Sequence, residues 1–356
     1  MAATRLRECG GGSAIPRLRA LYRLIEHRFS RAETKRRAWS YLCGLICDET
    51  RSGAGPDHDG TQRLLTSARW DEEAVCADLR ALVAAARPGD EGVLSVSAAG
   101  FTKRGEHSAG VGRQFCPSTR SMTNCQIGLF AVHAVEDGPA VPVDRELYLP
   151  RRWAEDQQRR QRAAIPSPVP YRSYDELVRV LLERTLPAFP DAGWVVSDLP
   201  VGGRSHLIGA LRGHAPAILL AVTADEAHAL AGPASLFPGP QAETAEHLWA
   251  RTALPRCGDH ARWLLARRPV AGPGPERHYL CEARNAPGLA DTIQAWRTHR
   301  AGQGLTAARA RAGLDNYEVR QWRAWYRHIT LSMVAHAAVT AAAGSPPHQA
   351  SRPDAH

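Results

Sequence analysis

From residue 93 onward, short apolar runs alternate with helical stretches, and this alternation most narrows what the chain can fold into. VLSVS at 93–97 is a strand that leads to Gly100. CQIGLFAVHAV, with the β-forming residues Ile127, Phe130 and Val132, reads as a returning strand, and VPVDRELYLP as a third. RSYDELVRVLLERTL puts Tyr174, Leu177, Val180 and Leu181 on one side of a helix. GWVVSD is then a fourth strand, a helix follows at 204–212, and APAILLAV is a fully apolar fifth strand. Three strands, a helix, a strand, a helix and a strand describe a mixed α/β layer fold.

The flanks are helical. Leu18, Leu21, Tyr22 and Ile25 recur at helical spacing, as do Trp39, Leu42 and Leu45. WDEEAVCADLRALVAAA adds a helix whose acidic start suits its N-terminal dipole. Residues 225–262 read as irregular, and WLLARRPV with RHYLCEA reads as a hairpin belonging to an insertion. Helix returns across 288–311 and 318–342, before a tail with the composition of disorder. The expected divisions are a helical region at 1–88, a first core part at 89–224 and an insertion at 225–287. Closing helices at 288–342 and a disordered tail at 343–356 complete them.

With 356 residues and 44% hydrophobic composition the chain has enough apolar surface for a sizeable core. No run of 18 apolar residues suggests a membrane span, and MAATRLRECGGG lacks the apolar centre of a secretory leader. The expected compartment is the cytoplasm. The eight cysteines are scattered without a second close pair to complete a zinc set, and no metal or cofactor is expected. Of the 45 basic side chains 43 are arginine, giving a net charge of +9. Ten basic groups face three acids in residues 1–41, and seven arginines face two acids in 297–327. Two basic segments of this kind suit a nucleic-acid surface or simply solvated helix faces.

Several long phrases occur in one colinear series: YLCGLI at 41–46, QRLLTSARWDEEAVCADLR at 62–80, GFTKRGEHSAGVGRQF at 100–115 and NCQIGLFAVHA at 124–134. DRELYLPRRWAEDQQRR at 144–160, HYLCEA at 278–283 and GLDNYEVRQWRAWYRHITLSMVAHA at 313–337 continue it. Together they resemble the IS701-like transposases of the DDE superfamily over roughly residues 20–340. The resemblance implies an RNase H-like α/β core with a helical, DNA-binding N-terminal region and a β insertion before the last catalytic helix. Active members cut and rejoin DNA with three carboxylates that hold two divalent ions.

Carried over residue by residue, the resemblance puts the first acid at Ser97, ahead of Gly100 and Phe101, with Ala98 and Ala99 as neighbours. It puts the second at Asp198 in WVVSDLPVGG. Counting back from Gly313, Leu314 and Asp315 puts the third at Gly302, followed by Gln303, with Arg309 in place of a lysine. Two of the three positions then lack a carboxylate. The expectation is a transposase-like protein without catalysis that binds DNA or another partner. Two alternatives stay open: a metal-independent enzyme taking a small molecule in the former cleft around Asp198, and a protein-contact scaffold. His206 could line that cleft, as in a Ser97–His206–Asp198 arrangement. Asp198 could equally cap the helix near Arg204.

Phosphate contacts are expected from Arg320, Arg323 and Arg327, which share a helix face, and from Arg151, Arg152, Arg159 and Arg160. Trp322, Trp325, Ile329 and Met333 are expected to form a buried stripe. No membrane partner is expected, and a dimer is left open.

Overall fold

The computed structural model describes residues 14–47, 58–86, 89, 91–199, 204–212, 215–232, 241–271, 274–299 and 301–340. The expected tail at 343–356 and Arg5 and Arg7 of the basic N-terminal segment lie outside them. Among the described residues four α-helices come first: α1 Ala14–Ile25, α2 Ala32–Ile46, α3 His58–Thr66 and α4 Glu72–Ala85. Asp71 caps α4 by accepting from the backbone of Glu73 and Ala74. The strands β1 Val93–Thr102, β2 Gly112–Cys116, β3 Ser121–Ala134 and β4 Val141–Leu147 follow, then the short helices α5 Arg151–Glu155 and α6 Gln157–Arg162. Next come α7 Tyr174–Thr185, opened by a Ser173–Glu176 capping box, then β5 Trp194–Ser197, α8 Arg204–Leu211 and β6 Ala217–Val222.

With β7 at Gln241–Glu243, β8 at His247–Cys257, β9 at His260–Pro269 and β10 at Arg277–Ala283, one sheet runs in the order β2-β3-β1-β5-β6-β10-β9-β8-β7, and β4 also pairs with β3. β3 is 14 residues long, so β2 pairs with its start and β4 with its end. β1, β3 and β4 are antiparallel, whereas β1, β5 and β6 are parallel, which is the RNase H-like arrangement expected. The stretch expected to be irregular contains α9 Ala224–Ala231, β7 Gln241–Glu243 and β8 His247–Cys257. β8 was hidden because its burial lacks clean alternation; pairing with β9 His260–Pro269 defines it. β9 and β10 Arg277–Ala283 pair antiparallel as the expected hairpin, and β10 also pairs with β6, which makes that hairpin continuous with the main sheet.

The expected helix at 288–311 divides into α10 Leu289–Thr298 and α11 Ala301–Ala312. α12, Trp322–Thr340, is buried on every side from Ala324 to Ala338, with Arg327, His328, Ser332 and His336 hydrogen-bonded inside the core. Helices α1–α4, α11 and strand β4 surround it in one continuous apolar core. Trp325, Ile329 and Met333 are fully buried, and Trp322 packs at the margin. The opposite sheet face carries a smaller cluster beneath α10, including Val196, Trp249, Tyr279 and Ile293. Among the described residues no helix is long and apolar enough to cross a membrane.

The phrase Asp144–Arg145–Glu146 on β4 forms a buried ionic girdle. Arg184 of α7 donates to Asp144 at 2.6 and 2.8 Å and to Glu146 at 2.9 Å, and Arg80 of α4 donates to Asp144 at 2.8 Å. Arg145 reaches Glu73 at 2.9 Å, and the Tyr326 hydroxyl of α12 donates to Glu146 at 2.8 Å. Burial alone would raise the Asp144 carboxyl, but Arg184, Arg145 and Arg80 together hold it below the usual range.

Candidate functional site

β1 and β5 run in parallel with Val96 opposite Ser197, so Ser97 and Asp198 are the next residues along adjacent strands. Side chains alternate between sheet faces. Val196 lies in the cluster beneath α10, and Asp198, two residues on, turns to the same side. There it meets His299, the residue that ends α10. The His299 Nε2 lies 3.2 Å from the Asp198 Oδ2, with the imidazole buried and the carboxylate 43% exposed. The separation is that of an ion pair, but the angle is not that of a hydrogen bond, and Nε2 makes no other. On β10, burial and then the charge of Asp198 push the Tyr279 phenol up to about 12. Trp296 Nε1 donates to that phenol oxygen at 3.2 Å.

Gly302 is the second residue of α11 and is exposed. No atom lies within 4 Å of where its Cβ would stand, so packing does not require a glycine there. Gln303 is also exposed. Arg309 ties α11 to β1 by donating to the Gly100 carbonyl at 2.6 Å, with its guanidinium 5.2 Å from the centre of the Phe101 ring. Ser97 and Ala98 are half-buried and Ala99 is buried. The backbone of His206 lies in α8, but its side chain lies outside the described residues, as does the segment where Asp198 would cap that helix.

A pair of divalent ions needs several charged oxygen ligands. Of the three positions only Asp198 supplies a carboxylate, and its close neighbour is an imidazole. The Ser97 hydroxyl is neutral, and Gly302 offers no side chain. Among the described residues no group of three or more His, Cys, Asp or Glu could hold a metal ion. The donor set does not fit a two-ion centre.

The arginines expected to touch phosphate separate into different settings. Arg327 is buried: its Nη atoms donate to the carbonyls of Leu64, Leu65, Ala68 and Trp70 and its Nε to Glu72. It joins α12 to the α3–α4 connection and presents no surface charge. Arg323 is half-exposed and shares Glu72 at 2.8 Å, while Arg320 is exposed. Arg160 is spent on the carbonyls of Pro166, Ser167 and Val169, and Arg151 lies 5.0 Å from the Tyr171 ring centre. Arg152 and Arg159 line an open cavity of about 420 Å³ beside β2, which also takes in Arg104 and Arg113. A second cavity of about 280 Å³ includes Glu72, Glu73 and Glu146, all already paired with arginines. Neither lining includes Ser97 or Asp198.

His299, Tyr279, Arg104 and Arg113 were not singled out from sequence. His299 stands three residues before Gly302 in THRAGQG, inside what reads as uninterrupted helix, and only the break after α10 directs it at Asp198.

The sheet order, the parallel β1–β5 pair and the helix starting beside it define an RNase H-like protein. A family model described as DDE superfamily endonuclease matches residues 26–247, and the chain belongs to that family. No curated protein matches it.

Proposed function

We propose that this chain is an IS701-like member of the DDE superfamily that binds DNA without cutting it. In this reading Ser97, Asp198 and Gly302 stand where active relatives carry three acids. The observation that carries it is the Asp198–His299 contact: the single carboxylate at these positions faces a buried imidazole and no second acid. Open space at the Gly302 Cβ supports it further, since an acid there would fit and its absence owes nothing to packing. The net charge of +9 supports a polyanionic partner. The test is incubation with supercoiled plasmid and with linear duplex in manganese. Binding that weakens with salt, ignores the metal and leaves the DNA intact is expected. Metal-dependent nicking abolished by Asp198→Asn would refute the proposal.

A second reading takes Asp198, His299 and Tyr279 as an acid–base cluster acting on a small molecule without metal. The close carboxylate–imidazole approach beside a phenol favours it. A compound that raises the melting temperature of the parent protein but not of Asp198→Asn would select this reading over the first.

A further inference from the structure

The β2–β3 hairpin forms one end of the sheet, beyond the strand-end positions just described. Thr102, at the end of β1, lies five residues or about 16 Å past Ser97 along the strand. Arg104, two residues further on, lines the open cavity beside β2, whereas Lys103 turns away to donate to the Tyr317 carbonyl at 3.1 Å. Arg104, Arg113, Arg152 and Arg159 line it, against the single acidic residue Glu106, and Arg159 also pairs with Asp156 at 3.4 Å. The side chains of Arg104 and Arg113 make no ion pair or hydrogen bond with the described residues. Two unpaired cations facing an open cavity leave it electropositive.

The position of Arg152 is built into the strand. A Cβ at Gly112 would collide with its guanidinium, so the missing side chain is what lets the charge lie on the edge of β2. The Val111 carbonyl accepts from Arg152 at 3.4 Å and from the Trp153 indole at 2.7 Å, which anchors α5 to the same edge.

Beside these charges is an apolar pair. Phe115 is 55% and Met122 57% exposed, two of the four large hydrophobic side chains that are exposed among the described residues. They stand directly opposite each other in the β2–β3 register, two positions along from Arg113 and Asn124. Residues opposite and two apart share a face, so the ring, the thioether and Arg113 form one surface. The core cannot use an aromatic side chain held out on an edge strand, but an unpaired base can stack on it.

We propose that this surface docks a single-stranded nucleic acid, with its phosphates among the four arginines and a base on the Phe115–Met122 pair. The proposal rests on the DNA-binding reading and adds both a location and a strand preference. A duplex keeps its bases stacked on one another and offers Phe115 no face. A single strand offers one to every aromatic it passes.

The test is fluorescence anisotropy on the full chain with a labelled single-stranded oligonucleotide, the duplex of the same sequence, and heparin as a competitor. The variants are Phe115→Ala, Arg113→Gln, Gly112→Ala and, as a control away from the cavity, Arg179→Ala. Each is first checked for an unchanged melting temperature. Phe115→Ala is expected to weaken single-strand binding at least about fivefold while barely changing duplex binding. Arg113→Gln is expected to lower the slope of log affinity against log salt by about 0.7 for single strands. Gly112→Ala, which displaces the Arg152 guanidinium, should act in the same direction as Arg113→Gln, and Arg179→Ala should change nothing. Equal affinity for both DNA forms with no effect of Phe115→Ala would overturn the stacking site. Binding undiminished by all the cavity variants would overturn the location while leaving the DNA-binding reading intact. Absence of any nucleic-acid binding would overturn both.

Discussion

The Nε2 of His299 stands 3.2 Å from the Oδ2 of Asp198, joining the end of β5 to the break between α10 and α11. A carboxylate in such a position on an RNase H-like sheet is useful to a metal only in the company of other carboxylates. Here it faces the His299 imidazole, and its charge also acts on the Tyr279 phenol.

On the proposed assignment of Ser97 and Gly302 to acid positions of active relatives, carboxylates installed there should create a metal site. In a Ser97→Asp, Gly302→Glu double variant, millimolar manganese is expected to raise stability, by about 2.7 kcal/mol once the metal reaches a hundred times its dissociation constant. The parent protein should gain almost nothing. Calorimetric melting with and without manganese measures both. Strong stabilisation of the parent that disappears in Asp198→Asn would contradict the donor-set argument.

The buried girdle on β4 should respond far more strongly than surface pairs. Asp144→Ala leaves Arg80, Arg145 and Arg184 without their shared carboxylate, and removing one partner of a buried ionic set typically costs about 3–5 kcal/mol. Glu183→Ala, which breaks the exposed pair with Arg179, should cost no more than about 0.5 kcal/mol. Urea denaturation of the two variants compares them directly.

Acid should destabilise the fold through two histidines on α12. His328 accepts from the Tyr41 hydroxyl at 2.6 Å and donates to the Leu314 carbonyl at 3.2 Å, and burial pulls its pKa down to about 3. Burial likewise lowers His336 to about 4. The unfolded chain protonates both near pH 6.5, so between that value and about 4 protons favour the unfolded state. Stability is therefore full above about pH 7 and falls with acid, approaching roughly 1.4 kcal/mol per pH unit for each group. Chemical denaturation at pH 7, 6 and 5 should show a shallower decline in His336→Gln, and an unchanged slope would count against this account.

Arg327 and Arg320 should part company in a stability assay. Arg327→Ala removes a buried donor from four carbonyls, with Glu72 left to Arg323 alone, so a loss of about 2–4 kcal/mol is expected. Arg320→Ala, at an exposed position, should stay within about 0.5 kcal/mol. Any fall in DNA retention on changing Arg327 must accordingly be corrected for unfolding before it is assigned to a lost phosphate contact.

Elements with a strong period were legible from residues alone. The helices carrying Leu18, Tyr22 and Ile25 and carrying Leu177 and Leu181, and the apolar strand at 217–222, needed only their own side chains. β8 was not legible, because its arginines and half-buried positions make a strand only by pairing with β9. The break at His299 was hidden as well, since no proline interrupts the helical pattern there.

Which acids are present at 97, 198 and 302 is a matter of sequence, as is the excess of arginine, because both are statements about residue identity. Where each arginine points is a different kind of property. Arg327, Arg160 and Arg113 are the same residue type, yet the first is sealed in the core, the second laces a loop and the third faces an open cavity. Those fates depend on which carbonyls, carboxylates and glycines the tertiary packing brings within a few ångströms. The same holds for Asp198 and His299, about a hundred residues apart in the chain, which meet because the end of β5 and the end of α10 converge on one face of the sheet.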